Sequence, residues 1–145
     1  MKIVFDSSAD IRGIEDFDSA CAPLKIITAE KQYIDDDTLD IAAMVEDLAH
    51  YKGKSSTSCP NPEDWLQAFC DAEEIYCITI TGTLSGSYNA ACLAKKRYEE
   101  NHPEARILVI NSLSTGPEMK LIIEKLQELH LAGLDFAAIC KEITQ

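Results

Sequence analysis

Four short runs of apolar and β-branched residues, Lys2 to Phe5, Leu24 to Thr28, Ile75 to Thr81 and Arg106 to Ile110, constrain the fold more than any other feature of the sequence. Each is bounded by Asp, Ser, Gly or Asn, and each is apolar in succession rather than alternating. That pattern suits strands covered on both faces, as in a parallel sheet. Helical stretches lie between and after them. Ile41, Met44, Val45 and Leu48 recur at the spacing of one apolar helix face. A second helix is marked by Asn61 as cap, Pro62 at the first helical position and Glu63 and Asp64 in the first turn, followed by Trp65, Leu66 and Phe69. A third runs from about Ser85 to Glu100, where Ala90, Ala91, Cys92 and Ala94 permit close packing on a sheet. A fourth spans about Pro117 to Ala132 and stops at Gly133, and a short last helix is predicted over Asp135 to Ile143. Strands alternating with helices over 145 residues predict one α/β domain of layered, parallel-sheet architecture.

Charge and composition narrow the function. With 25 acidic against 13 basic residues the formal net charge is −12, a field that repels phosphate backbones and anionic lipid surfaces, so neither nucleic-acid binding nor membrane insertion is expected. A local anion site remains compatible with that charge, because hydroxyls, backbone N–H groups and helix N-termini act over a few ångströms. The six cysteines lack C-x-x-C or framework spacing and read as reduced small hydrophobes, with Cys70, Cys77 and Cys92 within or next to apolar cores and none a metal ligand. The apolar run after Lys2 is far too short for an export signal, which predicts a cytoplasmic protein. Asp35-Asp36-Asp37 with Asp40 lacks the glycine and terminal glutamate of a calcium loop and reads as a solvated turn capping the next helix.

Two hydroxyl-rich segments carry the functional signal. One is Ser55-Ser56-Thr57-Ser58-Cys59-Pro60-Asn61-Pro62, and the other is Thr81-Gly82-Thr83-Leu84-Ser85-Gly86-Ser87, directly after a strand. In an open parallel sheet, ligands bind beyond the carboxyl ends of the strands, which is where the second segment falls. Gly82 and Gly86 would allow close backbone approach, and N–H groups at the start of the third helix would face an oxyanion. On the residues alone, helix capping by Asn61 and Ser85 is the more economical account. The run lacks the G-K-[ST] ending of a P-loop and the G-x-S-x-G elbow of a hydrolase, and nothing marks His50, His102 or His130 as a partner base. The three histidines read as surface residues.

Lys2-Ile3-Val4-Phe5-Asp6-Ser7-Ser8-Ala9-Asp10 resembles the opening strand and D-S-s-x-D turn of the DegV family. Pro23-Leu24-Lys25-Ile26 with Tyr33-Ile34-Asp35 resembles its next strand and turn, and Thr57-Ser58-Cys59-Pro60-Asn61-Pro62 its T-S-q-P-s-P. Leu84-Ser85-Gly86-Ser87-Tyr88 with Ala90-Ala91 is similar to its L-S-G-t-y-x-s-A, and Asn111 to Glu118 to its D-S-x-s loop. Cys59 stands where glutamine is usual, Thr83 where glycine or another residue often precedes the leucine, and Asn111 where aspartate is common.

The resemblance implies a three-layer DegV-type N-terminal α/β domain over residues 1–145 that binds a long-chain fatty acid and does no chemistry itself. It implies that Thr57 and Ser85 hydrogen-bond the carboxylate with the Gly86 N–H close by, that no cofactor is needed, and that a Dak-type fatty acid kinase phosphorylates the carboxylate. It further implies a C-terminal half, absent from this chain, that encloses the tail. The segment 38–60 would then expose an apolar wall, inviting self-association or displacement of that segment. Two readings from other classes stand beside it: an enzyme acting on a small acyl or phosphorylated substrate through Ser85, and an interaction module with no ligand.

Overall fold

The computed structural model describes residues 1–144. Its central sheet has four parallel strands, β1 (Lys2–Asp6), β2 (Ser19–Ala22), β6 (Glu74–Thr79) and β7 (Arg106–Asn111), in the order β2-β1-β6-β7. A second, antiparallel sheet of three short strands is built from β3 (Lys25–Ile27), β4 (Gln32–Ile34) and β5 (Ser56–Ser58), in the order β4-β3-β5. Among the described residues there are five α-helices, α1 (Ile41–His50), α2 (Pro62–Phe69), α3 (Ser87–Asn101), α4 (Gly116–Leu131) and α5 (Phe136–Ile143).

The unbroken apolar runs follow from coverage of both faces of the parallel sheet. Val4, Ile75, Cys77 and Ile107 point to one side, where they pack with Trp65 and Phe69 of α2 and with Ala91, Ala94 and Tyr98 of α3. Ile3, Phe5, Tyr76, Ile78 and Ile110 point to the other, against Met119, Ile123, Leu126 and Leu129 of α4 and Ile139 of α5. Successive residues of one strand thus enter different cores, as the pleat requires. The small residues of α3 allow the close approach that the sequence predicts.

Two expectations need correction. The run Leu24 to Thr28 forms a strand, but in the antiparallel sheet rather than the parallel one. The fourth parallel strand is instead β2, whose Ser-Ala-Cys-Ala sequence lacks β-branched residues and is a strand only because it pairs with the edge of β1. The apolar stripe of α1 is exposed, as expected for segment 38–60: no residue of the helix is buried, and Ile41 and Val45 are 59% and 56% exposed. The helix is held to the small sheet largely by polar ties, with Tyr33 Oη donating to Asp47 Oδ2 at 2.9 Å and Lys31 Nζ pairing with the same oxygen. Those two donors hold the Asp47 carboxyl below its usual range.

The cysteines divide by environment. Cys77 is fully buried and burial pushes its thiol up, while the mostly buried Cys21 thiol is pushed up to about 12. Cys92 is half-buried, whereas Cys70, expected near a core, is exposed where the chain leaves α2 with a positive φ of 44°. His50 and His130 lie on the surface, but His102 is half-buried and stacks on Tyr98 with ring centroids 4.2 Å apart.

Phe5, wholly buried in the central strand, is expected to cost about 3–5 kcal/mol of stability when replaced by Ala. Val45→Ala on the exposed face of α1 is expected to cost less than about 0.5 kcal/mol. Equilibrium urea unfolding of both variants checks the contrast, and equal losses would mean that the α1 face is buried in solution.

Candidate functional site

The parallel sheet places a crevice between β1 and β6. The connection leaving β1 leads to β2 on one side, while the connection leaving β6 leads to β7 on the other. The two loops therefore diverge from neighbouring strand ends, the arrangement that opens a ligand site in α/β sheets. At this point a pocket of about 410 Å³ is lined by Leu24, Thr57, Ser58, Cys59, Ile80, Leu84, Ser85 and Gly86.

One wall is the loop from Ile80 to Gly86. Asp6, the last residue of β1 and 0% exposed, organises it. Its Oδ2 accepts the Ile80 N–H at 2.9 Å and the Ser87 hydroxyl at 2.6 Å, so a single oxygen ties the loop at both ends. Its Oδ1 accepts from the N–H and hydroxyl of Ser8, which closes the short 3₁₀ turn Ser7–Ala9. A buried carboxylate that gathers several donors in this way is strongly stabilised by charge-assisted bonds. Inside the loop, Ser87 N–H donates to Ser85 Oγ at 3.2 Å, and Thr81 N–H donates to the Ser114 carbonyl at 2.9 Å.

The opposite wall is β5 and the turn after it. Read as loop from its Ser and Thr content, residues 56–58 pair instead with β3, and Thr57 lies opposite Ile26. Two further ties hold this wall. Asn61 and Asp64 form a reciprocal capping box at the start of α2, and Asp64 Oδ2 also receives Lys25 Nζ at 2.8 Å from β3. Ser7 Oγ accepts the Leu24 N–H at 3.0 Å, which fixes the leucine at the pocket floor to the turn after β1.

Thr57, Ser85 and Gly86, the residues singled out from the sequence, thus meet around one pocket although they come from different sheets and loops. The third helix starts two residues later than expected: Gly86 occupies its cap position with an ordinary negative φ, and Ser85 sits one residue earlier. A Cβ at Gly86 would lie 3.4 Å from Cys59 Sγ on the facing wall, and one at Gly82 would lie 3.2 Å from Asn111 Nδ2. A side chain at Gly86 would meet only ordinary contact, whereas at Gly82 it would crowd Asn111, and neither glycine has a left-handed backbone. Residues that the sequence did not mark as functional are Asp6 and Ser87, which hold the loop, and Leu24, Ile80 and Leu84, which make part of the lining apolar. Asp6, Leu24, Leu84 and Ser87 fall within the matched or hydroxyl-rich segments without a role of their own there. None of the three histidines lines this pocket.

Hydroxyls, a backbone N–H at a helix start and adjoining apolar side chains thus meet around one pocket at a topological switch point of an α/β domain. The family model described as "Uncharacterised protein, DegV family" matches residues 1–145, and the chain belongs to the DegV family. A DegV domain-containing protein of Streptococcus gordonii is 44% identical over 147 aligned positions, covering 99% of this chain and 52% of the relative. A DegV family protein from Eubacterium eligens loaded with heptadecanoic acid superposes with a TM-score of 0.96 at 42% identity, covering 99% of this chain and 52% of that one. The Streptococcus pneumoniae Fatty Acid Kinase (Fak) B3 protein loaded with linoleic acid gives a TM-score of 0.93 at 43% identity, again covering 99% and 52%. The chain therefore spans about half the length of the proteins it matches. Among the described residues, no helix is long and apolar enough to cross a membrane.

Asn111 supports the site from the last parallel strand. Its Oδ1 accepts from the Gly82 N–H at 3.1 Å and from the Leu113 N–H at 3.2 Å, the latter in a left-handed conformation with φ 56°. A carboxylate oxygen could accept the same two N–H groups. Asn111→Asp is expected to leave stability within about 0.5 kcal/mol, whereas Asn111→Leu, which removes the acceptor of two solvent-exposed N–H groups, should cost about 0.5–1.5 kcal/mol. Thermal or urea unfolding of the pair checks this, and equal losses would remove the acceptor role.

Proposed function

We propose that this domain carries the head-group site of a fatty-acid-binding protein, in which Thr57 Oγ1, Ser85 Oγ and the Gly86 N–H hydrogen-bond the carboxylate of a long-chain fatty acid. The observation that carries the reading is the convergence of these three groups with Leu24, Ile80 and Leu84 on one pocket at the switch point. Relatives at 42% and 43% identity hold heptadecanoic and linoleic acid, and such a ligand matches the mixed lining. Leu84 is 76% exposed and the wall of α1 carries exposed Ile41 and Val45, apolar surface over which a tail would run and through which self-association would occur.

The energies assign separate tasks to the two ends of such a ligand. Burying a sixteen-carbon tail is worth about 0.8 kcal/mol per methylene, on the order of 10 kcal/mol before ordering costs. Each hydrogen bond to the charged head adds about 1.5–3 kcal/mol. The tail supplies affinity, and the hydroxyls supply orientation. An oriented carboxylate is what a separate kinase needs for phosphorylation to an acyl phosphate, and the Fatty Acid Kinase designation of a relative supports a Dak-type partner. The domain itself performs no chemistry in this reading, and it acts in the cytoplasm. Ser85 Oγ accepts from Ser87 N–H rather than donating to a base, and no histidine lines the pocket, both of which weigh against its use as a nucleophile.

Organic extraction of the purified full-length protein followed by lipid mass spectrometry should recover a fatty acid in near-stoichiometric amount. Thr57→Ala combined with Ser85→Ala should weaken fatty-acid binding by about 3–6 kcal/mol, less where water replaces the lost groups, with the fold intact by circular dichroism. Unchanged affinity in the double variant would remove these residues from the site.

A further inference from the structure

We infer that Asp6 and Ser87 are positioning residues that fix the donor polarity of Ser85 and thereby make the pocket select an ionised head group over a neutral one. The inference rests on the fatty-acid reading above and adds the device by which the site discriminates. A serine hydroxyl has one proton and two lone pairs, so its role is set by what its neighbours can give or take. The Ser87 N–H can only donate, and it lies 3.2 Å from Ser85 Oγ. Ser85 therefore accepts on its inner side, and its proton is free for the pocket.

What aims the Ser87 N–H is the bond made by its own side chain. Ser87 is 0% exposed, and its hydroxyl donates to Asp6 Oδ2 at 2.6 Å. Asp6, also 0% exposed, receives the Ile80 N–H on the same oxygen at 2.9 Å, so the segment that carries Ser85 and Gly86 is clamped before and after. Ser87 thus donates to both sides, its hydroxyl to the buried Asp6 carboxylate and its N–H to Ser85 Oγ, and Ser85 keeps an O–H donor at the open end. An ionised carboxylate offers acceptors alone and meets this donor, the Thr57 hydroxyl and the Gly86 N–H. An alcohol offers one uncharged oxygen, so it meets the same donors through neutral bonds alone. Charge-assisted bonds are about twice as strong as neutral ones, which gives the discrimination its size.

Asp6→Asn tests the clamp, because an amide keeps one oxygen and replaces the other with a group that cannot accept, so one pair of donors is lost. Ser87→Ala tests it more gently by removing only the hydroxyl. Both variants, Ser85→Ala and the Ser85→Ala/Ser87→Ala double variant are compared with the full-length wild type for binding of palmitate and of hexadecanol at one pH. The wild type should prefer palmitate. Ser87→Ala and Asp6→Asn should each narrow that preference by about tenfold while leaving hexadecanol affinity within about twofold. The double variant should be no worse than Ser85→Ala alone, because both changes act through one hydroxyl. A preference unchanged in Ser87→Ala, a proportional loss of both ligands, or additive losses in the double variant would overturn the positioning role while leaving the fatty-acid reading in place. A wild type that binds palmitate no better than hexadecanol would overturn the fatty-acid reading and the inference with it.

Discussion

A single buried carboxylate governs the geometry of this domain's pocket. Asp6 stands at the end of a strand with neighbours on both sides, out of reach of water, and an acid in that position is tolerated only when donors surround it. Those donors come from its own turn, from the exit of β6 and from the first residue of α3. Satisfying the charge therefore draws three chain segments to one point. Because removing one partner leaves a buried charge unmatched, the cluster holds together as a unit.

The remaining ties extend this order to the facing wall. Ser7 next to Asp6 accepts from Leu24, Lys25 beside Leu24 pairs with Asp64, and Asp64 completes the cap of α2. The small antiparallel sheet is thus linked to the parallel one, and Thr57 on β5 is carried to a fixed place opposite Ser85 and Gly86. By contrast α1 is joined mainly through exposed polar contacts of Asp47, which contribute little in water. The pocket walls are the tightly tied part of the domain, and α1 is the loosely tied part.

Much of this was legible in the sequence where one local rule acted alone. Continuous apolar runs announced strands buried on both faces, and Asn61-Pro62 marked the start of α2. The Gly133 stop of α4 was equally plain, since that residue takes a φ of 80°. Failures came where tertiary pairing overrode local preference. Ser19 to Ala22 and Ser56 to Ser58 have the composition of loops and become strands by pairing with β1 and β3. Thr57, Ser85 and Gly86 were reached through family resemblance, because capping explains the same residues on local grounds. Asp6 and Ser87, separated by 81 positions, gave no sign of each other until the fold brought them to 2.6 Å.

The central claim is that the crevice beyond β1 and β6 receives a fatty-acid carboxylate. A crystal structure of the full-length protein with palmitate tests it most directly. The carboxylate oxygens are expected within hydrogen-bond distance, about 2.5–3.2 Å, of Thr57 Oγ1 and Ser85 Oγ, with the Asp6–Ser87 bond intact beneath them. A head group seated elsewhere, for instance between Lys31 and His50 in the polar cleft beside α1, would contradict it.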